Sequence, residues 1–148
     1  HLHIYFLSTF GDSFRNRQMI CYINGDKNMT SEYKEKLQAY GVNLDSALNR
    51  FMDNEQFYER ILSKFPMDEN FILMERSLNE NNISLAFRYA HTLKGLAATL
   101  DLTNISDILI PMTEKLRAGD TEGIQDLFDQ LKVQYKLICD LITEHKAR

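Results

Sequence analysis

The sequence predicts an all-α protein, an antiparallel four-helix bundle with one or more additional short helices on its N-terminal side. Two observations support this fold class. The 148 residues include only six Gly, two Pro and no Trp, so strand and turn signals are scarce after about residue 30. From that point apolar residues recur at helical spacing, and the polar connections between the helical stretches are short, which favours antiparallel neighbours.

The composition is typical of one compact soluble domain, with 44% apolar and 26% charged residues. A formal net charge of −4 argues against a nucleic-acid-binding protein, which normally shows a basic face. Apolar runs stay well short of the roughly 18 residues that a membrane span requires. The apolar start at residues 4–7 is too short for the core of a signal peptide. We therefore expect a cytoplasmic protein that does not enter the membrane.

The first 28 residues differ from the rest and are left unassigned. They contain two β-favouring runs, and the Asn24-Gly25 pair is a turn signal because both residues tolerate positive φ. A small hairpin, a disordered leader and a segment foreign to the natural protein are all compatible with this pattern. The helical domain is expected to span residues 29–148.

The N-terminal part of that domain is expected to be built from short helices. Helical spacing predicts a first helix over Ser31–Tyr40, where Gly41 supplies the C-terminal stop. A brief turn or helix over residues 45–51 and a helix over residues 55–65 are expected to follow.

The remaining pattern predicts four longer helices, over residues 69–79, 84–100, 104–117 and 121–144. Pro111 interrupts the third of them. Because proline removes one backbone hydrogen bond and clashes with the preceding turn, we expect a kink there or two shorter helices.

The stretch over residues 84–100 separates into two faces when it is wound at about 100° per residue. His91 falls close to the middle of the polar face, so we expect its side chain to point into solvent. The apolar face, expected to join the core, consists of Leu85, Ala86, Tyr89, Ala90, Leu93, Leu96, Ala97 and Leu100.

The neighbours of His91 make its position unusual. Gly95 lies one turn further on, where glycine costs about 1 kcal/mol relative to alanine, and Ala98 follows at the next turn. These small residues leave a low patch beside the imidazole, open to the active site of another protein. Arg88 and Lys94, three residues to either side, would stabilise the nearly two negative charges of a phosphoryl group. An uncharged imidazole has a ring nitrogen free to attack phosphorus.

The segment His91-Thr-Leu-Lys94-Gly95 resembles the His-x-x-Lys-Gly core of the histidine phosphotransfer (HPt) domain family of multistep phosphorelays. Residues 41–48 and 112–120 are similar to segments on either side of that core, and the resemblance covers roughly residues 40–144. The chain departs from the pattern at Asp101, where the family usually has Gly, and at Thr113, where an acidic residue is common. Asp101 is unexpected because a carboxylate is unfavourable at a helix C-terminus.

The resemblance implies a phosphorelay intermediate that accepts a phosphoryl group from a receiver-domain aspartate and passes it to another receiver. His91 would be the phosphoacceptor, Lys94 would assist with its charge and Gly95 would give steric access. Arg88 is added as a charge-assisting residue from helical geometry alone. The expected partners are response-regulator receiver domains, with a hybrid histidine kinase as a further candidate. The chain itself would bind no cofactor, since Mg²⁺ would belong to the receiver.

Three residues are candidates for docking the partner: Phe87, Ala98 and Leu73. For Phe87 and Leu73 partial burial is an equally valid interpretation. Five other apolar positions are expected to be core: Phe51, Phe57, Phe65, Phe71 and Met74.

Other chemistries lack the residues that they need. Histidine and glutamate are not paired at i, i+4 spacing, so no metal site is predicted, and no glycine loop is suited to cradling phosphate, so no autonomous kinase activity is expected. The alternative to the relay is a helical adaptor that binds a receiver or a partner helix without accepting phosphate.

Overall fold

A computed structural model describes residues 29–148, and this part of the chain is helical throughout, as the sequence predicts. The unassigned leader over residues 1–28, with its candidate hairpin, lies outside the described residues. A short 3₁₀ turn, Phe65–Met67, follows the third helix. The α-helices in chain order are α1 (Ser31–Tyr40), α2 (Leu44–Arg50), α3 (Glu55–Ser63), α4 (Asn70–Asn79), α5 (Ile83–Thr99), α6 (Thr103–Arg117) and α7 (Ile124–Ala147).

Polar side chains begin four of these helices by accepting a hydrogen bond from the backbone amide three residues further along. Such a bond satisfies one of the amides that the first helical turn leaves without a partner. Asn54 is the cap of α3, and Asn82 caps the longer helix α5. The other two caps are Thr30 and Asn43.

Pro111 does not divide its helix. Helix α6 runs without interruption over Thr103–Arg117, so the expectation of two shorter helices is wrong. Both Pro111 and Asp107, whose carbonyl would otherwise accept the missing hydrogen bond, are exposed. Because water can hydrogen-bond to an exposed carbonyl, the proline costs less here than it would in a buried turn.

Helices α4 to α7 form the bundle, each packed against the next one along the chain. The links between α4 and α5 and between α5 and α6 are three residues long, and links this short favour antiparallel neighbours. Each of these links contains one residue in the left-handed conformation, Asn81 with φ 56° and Asp101 with φ 56°. Helices α1 and α3 pack against α7, so the N-terminal helices cover one side of the bundle.

Four of the five apolar positions expected in the core are buried there: Phe51, Phe65, Phe71 and Met74. The prediction for Phe57 is wrong, because 44% of this residue is exposed. Its neighbour Tyr58 takes the inward position on α3, while Phe57 rests against the Phe51 ring from outside, at a centroid separation of 5.3 Å.

A buried ion pair joins α3 to the end of α7. The Lys146 ammonium contacts the Glu59 carboxylate, and at most 1% of either side chain is exposed. Removing one partner from such a pair leaves a buried charge uncompensated, which is far more costly than the loss of a surface pair.

The C-terminal end of α5 is held by side chains from the N-terminal helices. The Arg50 guanidinium donates hydrogen bonds to the carbonyls of Ala98 and Thr99, at 2.8 and 2.9 Å, and lies 2.6 Å from the Asp101 carboxylate. The Tyr58 hydroxyl donates to the carbonyl of Leu100 at 2.8 Å. Burial, together with the negative charge of Asp101, raises the pKa of Tyr58, so the hydroxyl keeps the proton that it donates.

This arrangement explains how an aspartate occupies the position where a glycine was expected. The Asp101 carboxylate at the negative end of the helix dipole is neutralised by Arg50, and the left-handed backbone is one that aspartate tolerates better than most residues.

We predict that Arg50→Ala lowers the free energy of unfolding by about 1–2 kcal/mol, because it removes the donor to two helix-end carbonyls and leaves Asp101 without its cation. Asp101→Gly should change that free energy by less than about 1 kcal/mol, since glycine adopts positive φ freely. In the Asp101→Gly background, Arg50→Ala should cost about 1 kcal/mol less than in the wild type. Urea denaturation of the wild type, the two single variants and the double variant measures these free energies of unfolding. If Arg50→Ala lowers the free energy of unfolding equally in both backgrounds, the ion pair contributes nothing.

Candidate functional site

Helix α5 carries the candidate site on the face that points away from the core. Ala86, Ala90, Leu93 and Ala97 are buried along one side of this 17-residue helix. His91 follows Ala90 directly and is exposed, which confirms the predicted separation of the two faces. Because residues one position apart differ by about 100° around a helix, burying the alanines directs the imidazole outwards.

The surface beside the imidazole is low. Gly95 and Ala98 are both exposed and continue from His91 along the same side of α5; we call these three residues the His91 strip. Apart from its chain neighbours and the backbone of its own helix, a Cβ atom built on Gly95 would have nothing within 4 Å. No packing requirement of the described domain therefore explains a glycine in the middle of this helix.

Two cations border the strip. Arg88 is exposed and Lys94 is half-buried, and within residues 29–148 neither forms an ion pair. Their positive charges are therefore available to an anion that approaches His91, without first breaking a bond to a carboxylate.

Phe87 lies one turn before His91 and contacts it, with the ring centroids 5.7 Å apart and the planes tilted by 37°. The ring is half-buried and packs against the core. Arg117, in the last turn of α6, places its guanidinium carbon 4.9 Å from the centroid of the same ring. The structure thus brings to the site a cation that sequence reasoning missed, because no local spacing relates α6 to α5.

Leu73 is placed differently. It lies on α4 and is half-buried. Its role in docking stays a prediction.

Thr113 is fully buried on the inner side of α6, and its hydroxyl has no hydrogen-bond partner among residues 29–148. A carboxylate at this position would be desolvated without compensation, which is far more costly than a buried hydroxyl. The structure therefore gives a physical reason for threonine where an acidic residue was expected.

Two further kinds of feature are absent from residues 29–148. No group of three or more histidine, cysteine, aspartate or glutamate side chains is arranged to hold a metal ion. None of the helices in this range combines the length and the apolar character that crossing a bilayer demands.

Comparison with known protein families identifies the class of this domain. The family model of the Hpt domain matches residues 66–143, more than half of the chain and the part that contains α4, α5, α6 and all but the last turn of α7. The protein belongs to the Hpt domain family. Members of this family are in general phosphocarriers without kinase activity, which take part in phosphorelays through a histidine and interact with receiver domains. No curated protein and no solved structure matches the chain.

We predict that Gly95→Ala raises the free energy of unfolding by about 1 kcal/mol, because the added methyl group meets open space and alanine favours the helix. Gly119→Ala is the matched control: it also meets open space, but its φ of +72° strains any L side chain, so this change should be destabilising. Thermal and urea denaturation test both variants. A loss of stability in Gly95→Ala would mean that the glycine serves the fold.

Proposed function

We propose that this protein is a phosphorelay intermediate that accepts a phosphoryl group on His91 from a receiver-domain aspartate and passes it to a second receiver. The observation that carries the proposal is the exposed imidazole beside the bare backbone of Gly95, on the central helix of an Hpt bundle. Receiver domains, free or as part of a hybrid histidine kinase, would be the partners.

The transfer needs only a nucleophile and neutralising charge from this chain. A ring nitrogen of His91 attacks the phosphorus of the aspartyl phosphate, a P–N bond forms, and the P–O bond to the aspartate breaks with its electron pair on the carboxylate. Lys94 and Arg88 offset the charge of the phosphoryl oxygens. Mg²⁺ would come with the receiver, so this chain would bind no cofactor.

The same strip would seat the receiver. At Gly95 and Ala98 the strip carries nothing larger than a methyl group, so a receiver's acidic pocket can approach the imidazole from that side without meeting a long side chain at these two positions. Phe87 and Leu73, both half-buried, would contribute apolar area at the edge of this interface.

We predict that His91→Gln abolishes labelling by a phosphorylated receiver, because glutamine has the size but not the nucleophilic ring nitrogen. In the wild type the label should be acid-labile and base-stable, as expected for a P–N bond. Thr92→Ala, which changes the neighbouring exposed residue, should be labelled like the wild type.

The same experiment separates the relay from its alternative. Labelling that persists in His91→Gln would rule out this residue as the acceptor. If the wild type binds receivers but none of a broad panel of phosphorylated receivers labels it, the protein is a helical adaptor instead.

We predict that Gly95→Leu slows phosphotransfer about tenfold or more, because a branched side chain one turn from His91 would hold the receiver away from the ring. Gly95→Ala is the matched control, since a single methyl group adds little height. The two variants should unfold at similar denaturant concentrations, so the difference between them reports access. Stopped-flow or gel-based transfer rates provide the measurement, and a normal rate in Gly95→Leu would refute the steric argument.

A further inference from the structure

One aromatic ring in the site is shared by the candidate phosphoacceptor and a cation from another helix. The Phe87 ring contacts the His91 ring at 5.7 Å between centroids, and the Arg117 guanidinium carbon lies 4.9 Å from the Phe87 centroid. A guanidinium over an aromatic face is attracted by the ring quadrupole, which favours keeping the cation close to the ring. Phe87 therefore holds Arg117 in the neighbourhood of His91.

The carboxylate partner of Arg117 holds it only weakly. Glu114, one turn earlier on α6, lies 3.5 Å from the guanidinium, and more than half of each side chain is exposed. Exposed pairs of this kind contribute between nothing and about 1 kcal/mol. Arg117 can therefore leave Glu114 for a stronger anion at little cost.

We propose that Arg117 binds the phosphoryl group of phosphorylated His91, and that Phe87 is the positioning residue that keeps the guanidinium within reach. This inference rests on the proposed function and adds to it a cation supplied by α6. The guanidinium presents five N–H donors in a planar fork, a geometry that matches phosphoryl oxygens better than an ammonium does. On phosphorylation Arg117 exchanges Glu114 for two phosphoryl oxygens, while its contact with the Phe87 ring persists.

The exchange has a measurable electrostatic consequence. A phosphoryl group near neutral pH divides between a monoanion and a dianion, and a nearby cation favours the dianion. Arg117 therefore lowers the pKa of the phosphoryl group on His91. A residue that acted only on the stability of the fold would leave this pKa unchanged.

The test uses the full chain loaded with phosphoramidate, a small-molecule donor. A ring nitrogen of the protein attacks phosphorus, the donor P–N bond breaks, and ammonia leaves. The ³¹P NMR signal of phosphorylated His91 is assigned by its absence in His91→Gln and titrated between about pH 5 and 9. Loading in this way needs no receiver, so it reports on Arg117 independently of docking.

We predict that Arg117→Ala raises the phosphoryl pKa by about one unit, because the favoured dianion loses its cation. Arg117→Lys should restore most of the wild-type value, and Phe87→Leu should raise the pKa partway by releasing the guanidinium. Arg148→Ala is the matched control, since that arginine pairs with Glu32 and should leave the titration unchanged.

The outcomes separate the two proposals. If the phosphoryl pKa of Arg117→Ala equals that of the wild type, the role of Arg117 is overturned, whereas receiver-dependent labelling of His91 can still stand. If phosphorylated receivers fail to label the wild type, the relay is refuted, whatever the titration shows. An equal rise in Arg117→Ala and Arg148→Ala would show a general effect of net charge and would also overturn the assignment.

Discussion

The burial of one face of α5 is the constraint on which the rest of the structure depends. Its alanines and leucine are fully covered, and the helix packs against both α4 and α6. Small side chains allow this close packing, and turning the helix by one residue would expose the leucine and bury a charged or polar group. The direction of His91 is therefore fixed by the core, and the site needs no separate scaffold to present it.

The short N-terminal helices complete the domain at the end of this central helix. The match to the Hpt family begins at residue 66, yet Arg50 and Tyr58, which satisfy the last carbonyls of α5, come from α2 and α3. The buried pair between Glu59 and Lys146 similarly ties α3 to the end of α7. Helices outside the matched region thus stabilise the C-terminal end of α5, which lies inside it, and the last turn of α7, which lies just beyond it.

Local periodicity predicted most of the fold because helical order is a short-range property. The predicted bounds of α5 differ from the observed ones by one residue at each end, and its outward face was assigned correctly. What the sequence could not give were contacts between distant segments. Arg117 approaches Phe87 from another helix, and Glu59 meets Lys146 across most of the chain, so neither pair leaves a spacing signal.

One prediction was wrong, and one alternative of another was wrong, for the same reason. Phe57 was expected in the core because it is a large apolar residue, but its neighbour Tyr58 occupies the inward position. Pro111 was expected to kink its helix or to divide it in two, and the division is wrong: the helix continues through the proline, whose exposed location lowers the cost of the lost hydrogen bond. In both cases the outcome depends on which side of the helix meets water, which is decided by tertiary packing rather than by residue type.

The absence of a side chain at Gly95 also limits how much the centre of the His91 strip can contribute to binding specificity. The backbone at Gly95 and the methyl group of Ala98 offer almost no side-chain chemistry that could distinguish one binding partner from another. Discrimination among related binding partners would then depend on the edge of the His91 strip, where charged and apolar side chains can differ without changing Gly95 or Ala98. The lack of a side chain at Gly95 thus makes the imidazole accessible and, at the same time, leaves the centre of the surface with little selectivity.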